Sequence, residues 1–275
     1  MKLSLCNEVL GDMPFEEQCR FVAALGYDGL EIAPFTLGAV PDELTPNLVR
    51  DTRRAAEAAG ISITGLHWLM VEPKGLSITS SDPEIRQYTI DIGRQLVTLC
   101  ADLDGSVLVH GSPQQRMLPE DTTGAVEARA RALNYFAEMA DAAASAGVIY
   151  CVEPLGPSET NFINTVAEAV ELTDEISMPS LKTMIDAKAA LQAEKQNVPD
   201  LLDRWLPTGK IAHLQLNDED GAAPGLGPTE FDGIMGAIRR NGYTDTIAIE
   251  PFNYEPSPVA VAAYSVGYLR GLMAS

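Results

Sequence analysis

Residues 149–186 read IYCVEPLGPSETNFINTVAEAVELTDEISMPSLKTMID, and this stretch decides the fold. It begins with a short run typical of a β-strand, 149–153, and passes through a loop into apolar residues at helical spacing, 165–176. A second β-rich run, 181–186, closes the unit. Two strands joined by a crossover helix are expected to pair in parallel.

The same alternation continues outward to both ends of the chain. Eight strands are predicted, at 2–6, 29–32, 62–67, 106–110, 149–153, 181–186, 211–216 and 246–250. Helical spacing is found between them, at 17–25, 46–59, 83–100, 125–144, 165–176, 231–240 and about 258–272. No glycine-rich nucleotide-binding motif is present, so eight β/α units favour a closed (β/α)₈ TIM barrel over an open sheet. We predict one domain, 1–275.

The longest irregular stretches all follow predicted strands, and they are 33–41, 68–82, 111–122, 154–163, 217–229 and 251–257. Strand-to-helix loops build the active-site face of a TIM barrel, whereas the short helix-to-strand connections lie at the opposite end. One end of the barrel is therefore predicted to carry function.

Charge and composition exclude several classes of partner. The chain has 39 acidic and 19 basic residues, a net charge of -20, which disfavours binding to nucleic acid. The N-terminus lacks the apolar stretch of a signal peptide, and no run approaches the roughly 18 apolar residues of a membrane span. A soluble cytoplasmic protein without membrane contact is expected. The four scattered cysteines fit reduced, buried thiols.

Polar residues stand at the ends of the last four predicted strands: Glu153, Asp186, Gln215 and Glu250. They are separated by 33, 29 and 35 residues, about one β/α unit each, so adjacent strands can direct all four side chains at one point. Three converging carboxylates would repel one another unless a cation lay between them. Oxygen donors without a thiolate favour Mn²⁺, Mg²⁺ or Co²⁺.

Other polar strand ends suggest contacts to a substrate. His67 and His110 end strands three and four, where they could hydrogen-bond hydroxyl groups, and Trp68 could stack on a sugar face. A histidine bonded to backbone at the rim is the alternative for His110. Glu31 and His213 are read as hydrogen-bonding residues below the pocket.

Several segments together resemble the xylose-isomerase-like superfamily, which includes ketose 3-epimerases, hydroxypyruvate isomerases and apurinic endonucleases. They are GYDGLEI, VEPLGPSETNFINT, MIDAKA, HLQLND, GLGPTEF and IAIEPF, in order along nearly the whole chain. The resemblance places the metal between Glu153, Asp186, Gln215 and Glu250. It also implies a homo-oligomer, since such barrels are often dimers or tetramers.

The chemistry implied by the resemblance is proton transfer at a carbon next to a carbonyl, through an enediolate. Glu153 and Glu250 would be the base and the acid, and Glu159 would bind substrate oxygens. Transfer on opposite faces gives epimerisation, and transfer on one face gives aldose-ketose isomerisation; the sequence does not choose.

The chain departs from the 3-epimerase pattern at two places. Ala189 stands where these enzymes have a histidine, and the acidic segment 217–220 stands where they have an arginine. Lys188 could replace the missing histidine, and Arg116 could reach substrate oxygens from the loop after strand four. Solvated or structural roles are the alternatives for both.

The sequence therefore predicts a metal-dependent sugar isomerase or epimerase acting on a small sugar or hydroxy-carbonyl compound. Hydroxypyruvate isomerisation, which Gln215 suggests, and epimerisation or elimination on 3-keto-glycosides or inositols are the rivals. A non-catalytic metal- or sugar-binding barrel is the alternative from another class. Apurinic endonuclease activity is disfavoured, because that site needs several histidines and the chain has 3.

Overall fold

The strands close into a parallel barrel. The computed structural model describes residues 1–38 and 44–274, and within them eight strands pair in the order β1-β2-β3-β4-β5-β6-β7-β8, with β1 also pairing β8. The strands are Lys2–Cys6, Gly29–Ile32, Ser62–Leu66, Val107–His110, Ile149–Val152, Leu181–Asp186, Ile211–Leu216 and Thr246–Ile249 (β1 to β8). The predicted TIM barrel is confirmed as a single domain.

Helices surround the barrel. In the part of the chain that the structure describes, α1 to α9 are Phe15–Leu25, Pro46–Ala59, Pro83–Asp102, Thr122–Ala146, Val166–Ile176, Ala187–Ala193, Val198–Trp205, Phe231–Arg240 and Pro258–Ala274. Two short helices, α6 and α7, follow β6, where the sequence pattern named none. Both are shorter than the dozen or so residues over which a helical period is easily read. Residues 39–41 of the first predicted loop lie outside the described residues.

The start of α5 shows how local sequence sets the loop above the site. Thr165 accepts a hydrogen bond from the Glu168 backbone, while the Glu168 side chain accepts one from the Thr165 backbone. This reciprocal cap satisfies two backbone donors that a helix start leaves free. The loop after β5 thus ends at a fixed point.

Side chains along the strands alternate between the barrel interior and the helix layer. Cys151 and Met184 precede Glu153 and Asp186 by two residues and form a small buried cluster with two valines of β4, separate from the main core. This apolar layer is the floor on which the acidic residues sit. All four cysteines are buried and unbridged, as predicted.

Helix α4 is the longest of the described helices, yet its outer face is polar. Among the described residues no helix is both long and apolar enough to cross a membrane.

Candidate functional site

The polar ends of β5, β6 and β8 converge. One carboxylate oxygen each from Glu153, Asp186 and Glu250 lies within 4.8 Å of the others, and all three side chains are buried. Register explains the convergence, because Asp186 pairs with Gln215 across β6 and β7, and Gln215 pairs with Ala248, two residues before Glu250. The structure therefore brings together the three carboxylates that the sequence predicted.

Burial and mutual repulsion disfavour the charged forms of these carboxylates. Burial raises the pKa of Glu250 well above its ordinary value, and Glu153 and Asp186 raise it further. Burial likewise raises the pKa of Glu153, with Asp186 adding to it and the positive charge of Arg116 opposing it. Burial raises the pKa of Asp186 to about 6, against the hydrogen bonds from Ala189 and Asn217. A cation between them would relieve this repulsion.

Gln215 supplies a separate indication of a cation site. It is fully buried, and its Nε2 donates to Glu31 Oε1 at 2.9 Å. No described residue donates to its Oε1. A buried acceptor without a partner is costly, so such an atom calls for a ligand. Gln215 pairs in register with Asp186, and an amide oxygen together with three carboxylates is the donor set that Mg²⁺ or Mn²⁺ prefers.

Gly111, directly after β4, makes room for Glu153. A β-carbon on Gly111 would lie 2.3 Å from Glu153 Oε2, closer than side-chain atoms can approach. We expect Gly111→Ala to displace this carboxylate and to weaken Mn²⁺ binding by about 10- to 100-fold, as for other changes next to metal ligands. Titration calorimetry measures the affinity. Gly271→Ala in α9, which meets nothing within 4 Å, is the control; equal affinity in both variants would contradict the expectation.

Trp68 follows β3 in a left-handed backbone conformation, with φ 51°. Its Nε1 donates to Glu250 Oε1 at 2.8 Å, and its ring, 40% exposed, lies between Phe35 and Phe252 at centroid distances of 6.2 and 6.4 Å. Such strain in a non-glycine residue persists where the surroundings enforce it. Trp68 therefore both orients a cluster carboxylate and presents an aromatic face to the cavity.

His67 lies at the inner wall of the cavity and is fully buried. Its Nε2 is 2.8 Å from Glu8 Oε2, and its Nδ1 is 3.8 Å from Glu31. Burial lowers the pKa of His67, but Glu8 and Glu31 together outweigh it and the net shift of the pKa is upward. Cys6, Glu8, His67 and Glu250 also offer atoms within 4.8 Å of one another. Because Glu8 and His67 already form a hydrogen bond, we infer that each fixes the position of the other's side chain.

His110 is not brought to the cavity. Its Nδ1 is 2.8 Å from the Tyr150 hydroxyl, and its ring packs against Tyr135, Phe136 and Tyr150. Burial, with a smaller effect of Arg116, lowers its pKa to about 3. The predicted substrate contact is replaced by packing, because the ring turns into the layer between β4, β5 and α4.

Neutral burial of His110 predicts a pH effect on stability. Its folded pKa lies below its ordinary value of 6.5, so the unfolded chain binds a proton first as the pH falls. The contribution of neutral His110 to the free energy of unfolding is therefore present above pH 6.5 and is lost progressively towards pH 3. Between pH 7 and 5 the loss is about 2 kcal/mol.

We therefore expect His110→Phe to remove about 2 kcal/mol of the fall in unfolding free energy between pH 7 and 5, measured by urea denaturation. Tyr135→Phe is the matched control, because it removes a polar group from the same cluster without removing the titration. Parallel pH curves for wild type and His110→Phe would show that this histidine is not buried neutral.

Arg116 is fully buried and braces the loop after β5. Its guanidinium donates to the backbone carbonyls of Glu153 at 2.7 Å and Ile163 at 3.4 Å. Burial lowers its pKa to about 10, opposed by Glu153 and Glu159. It does not line the cavity. The predicted contact with substrate is therefore replaced by a role in positioning Glu153.

Glu159 and Lys188 form an ion pair at the side of the cavity. Their charged atoms are 3.5 Å apart, and Glu159 Oε2 accepts from the Gly156 backbone at 3.2 Å. The Lys188 ammonium lies 4.8 Å above the Phe252 ring. Glu159 and Phe252 line the cavity, whereas Lys188 does not and contacts these two lining residues from behind. Ala189, in the position where the resemblance predicts histidine, is buried.

Three neighbours of the cluster were missed by sequence reasoning. Asn217 donates to Asp186 Oδ2 at 2.8 Å and to the Glu250 carbonyl at 3.1 Å, which links β6 to β8. Its place directly after β7 was the available signal. Glu8 and Gly111 are the others, and each also follows a strand within two residues.

A cavity of about 370 Å³ opens above Glu153 and Glu250. This volume lies within the roughly 300–1,000 Å³ typical of small-molecule sites. Asp186 does not line it and Gln215 does not either. Two cluster carboxylates therefore face the cavity, and Asp186 and Gln215 lie outside its lining.

Known proteins with similar sequences and structures share this architecture. The family model described as xylose isomerase-like TIM barrel matches residues 19–272. A D-psicose 3-epimerase of Enterocloster bolteae is 27% identical, over 84% of this chain and 74% of that protein.

Two crystal structures superpose over almost the full length. A D-psicose 3-epimerase in the presence of D-fructose has a TM-score of 0.83 at 20% identity, covering 100% of both chains. A 3-keto-D-glucoside 4-epimerase from E. coli, in its apo form, has a TM-score of 0.82 at 19% identity, covering 98% of this chain and 99% of the other. At these identities the structural likeness supports the fold.

Proposed function

Because the chain belongs to the xylose isomerase-like TIM barrel family, we propose that it is a divalent-metal-dependent sugar isomerase or epimerase. The observation that carries the proposal is the cluster of three buried carboxylates beside the unpartnered amide oxygen of Gln215. The epimerase names of the relatives support the reaction class.

Glu153, Asp186, Gln215 and Glu250 would hold the metal, and Mn²⁺, Mg²⁺ and Co²⁺ suit these donors. When bound, a divalent cation supplies positive charge that stabilises a developing enediolate oxygen. A bound cation would therefore serve the reaction as well as relieve the repulsion among the carboxylates.

Glu153 and Glu250 are the proton-transfer residues in this proposal, because they are the cluster members that line the cavity. One removes the proton from the carbon next to the carbonyl, and the other returns a proton. The indole N–H of Trp68 fixes the Oε1 of Glu250, and Arg116 fixes the backbone that carries Glu153. Each carboxylate therefore has a positioning partner, and that of Glu250 also lines the cavity.

Glu159, Lys188, Trp68 and His67 are the proposed substrate contacts. Glu159 can accept hydrogen bonds from hydroxyl groups, and its ion pair with Lys188 holds its side chain at the side of the cavity. His67 forms part of the wall with its Nε2 directed to Glu8.

Solvent exchange tests the proposal. Protein supplied with Mn²⁺, Mg²⁺ or Co²⁺ is incubated in D₂O with a ketohexose, a 3-keto-glucoside or hydroxypyruvate, and NMR follows deuterium next to the carbonyl. Metal-dependent exchange is expected, and its position identifies epimerisation or isomerisation. Bound metal with no exchange on any compound would count against the reaction class.

One observation favours a non-catalytic sugar-binding barrel as a second candidate. Ala189 lacks the side chain that the resemblance predicts near the substrate, and the lysines near the cavity are Lys188, which is paired with Glu159, and Lys74 in the loop after β3. Sugar binding by calorimetry without any solvent exchange would support this candidate.

A further inference from the structure

The outer part of the cavity differs in chemistry from the part next to the carboxylates. Beside the polar residues Lys74, Ser112, Gln114 and Gln115, the cavity has an apolar wall formed by Met70 and Val71 after β3, Leu155 after β5 and Phe252 after β8, together with the Trp68 ring. These apolar residues come from three separate loops, so the apolar wall is not the by-product of one apolar segment.

Two of these side chains remain strongly exposed. Trp68 is 40% and Phe252 is 41% exposed, and their rings are neighbours at 6.4 Å. Lys188 covers Phe252 at 4.8 Å, which fixes the ring without hiding it. Large apolar side chains exposed side by side in a concave site indicate a binding surface.

A free ketose matches this wall poorly, because it carries hydroxyl groups on nearly every carbon. Hydroxyl groups pressed against Val71 and Leu155 would lose hydrogen bonds to water and gain none. Aromatic rings can stack on a sugar face, but the aliphatic side chains of Met70, Val71 and Leu155 offer no such partner. The polar and apolar parts of the cavity therefore suit two different parts of one molecule.

We infer that the apolar part of the cavity is a subsite for a flat apolar substituent, so that the substrate is a hydroxy-carbonyl sugar carrying an aromatic or similar aglycone. The sugar lies against Glu153, Glu159 and Glu250, and the aglycone lies between the Trp68 and Phe252 rings and the Val71–Leu155 wall. The inference rests on the proposed function only for the placement of the sugar.

Paired ligands test the subsite. Phenyl and methyl 3-keto-β-D-glucopyranosides are titrated into Mn²⁺-supplied protein carrying Trp205→Phe. The chain has two tryptophans, so Trp68 alone then reports binding by fluorescence. The phenyl compound is expected to bind about tenfold tighter, a modest part of what burial of an aromatic ring can contribute.

Two shape-conserving variants test which wall is responsible. Val71→Thr and Leu155→Asn keep the volume and add polar atoms, so the phenyl preference is expected to fall to roughly threefold or less. Val126→Thr, exposed on α4, should keep the full preference. The methyl compound in the same variant serves as the folding control, because a misfolded protein loses both ligands.

The outcomes separate the subsite from the reaction. Equal affinity for both compounds, no binding of either, or a preference that both wall variants leave intact overturns the inference. A phenyl preference without deuterium exchange supports the subsite and counts against the proposed function. Exchange on the methyl compound without a phenyl preference supports the function and overturns the subsite.

Discussion

Replacing Glu153 by Gln is expected to lower the rate of deuterium exchange by about 10²- to 10⁴-fold, the usual contribution of one acid-base group. The amide keeps the size of the side chain and an oxygen donor, but it cannot take up a proton. Glu250→Gln is expected to act alike, since its carboxylate shares the cluster and the cavity wall. Initial rates from NMR at saturating Mn²⁺ measure the effect.

The control for these two variants is Glu230→Gln, an exposed glutamate just before α8 without a side-chain capping bond. Metal content measured on each sample separates a lost proton-transfer group from a lost ligand. Asp186→Asn is informative beside them, because Asp186 lies behind the cavity wall and should affect exchange only through the metal. Wild-type exchange in Glu153→Gln would exclude this residue as a proton-transfer group.

The barrel could be predicted from the sequence because parallel strands buried on both faces leave a strong local pattern. The four predicted strands that run too long, at 62–67, 106–110, 149–153 and 246–250, show where the pattern misleads. In three of them the surplus residue is the polar residue itself, as at His67, Glu153 and Glu250. Each of these polar side chains stands one residue beyond the end of its strand, where composition still resembles the strand.

The direction of a side chain was harder to predict than its place in the chain. Glu153 and His110 both stand at strand ends, yet one faces the cavity and the other packs against Tyr150. The residues around Arg116 predicted that it lies on a loop at the cavity. In the structure the short helical turn Pro113–Arg116 places its side chain beneath the loop after β5. Such outcomes depend on contacts between distant segments, and a single sequence carries no local signal of them.

Replacing Arg116 by Met is expected to lower the free energy of unfolding by about 3 kcal/mol, the combined scale of two hydrogen bonds from a charged donor. The carbonyl of Glu153 loses this donor inside the protein, where water cannot replace it, and the carbonyl of Ile163 keeps only the backbone N–H of Leu155. Met keeps the apolar stem, so packing changes little. Urea denaturation at fixed Mn²⁺ measures the loss.

Arg116→Lys distinguishes geometry from charge. An ammonium is a point charge, while a guanidinium reaches two carbonyls from one plane, so Lys is expected to recover less than half of the loss. Arg129→Met is the matched control, because Arg129 forms an exposed ion pair with Glu175 and should cost less than about 1 kcal/mol. If Arg116→Met were as stable as Arg129→Met, the buried guanidinium would not hold the loop. If Arg116→Met were that stable and still exchanged deuterium more slowly with Glu153 intact, Arg116 would have to contact the substrate directly.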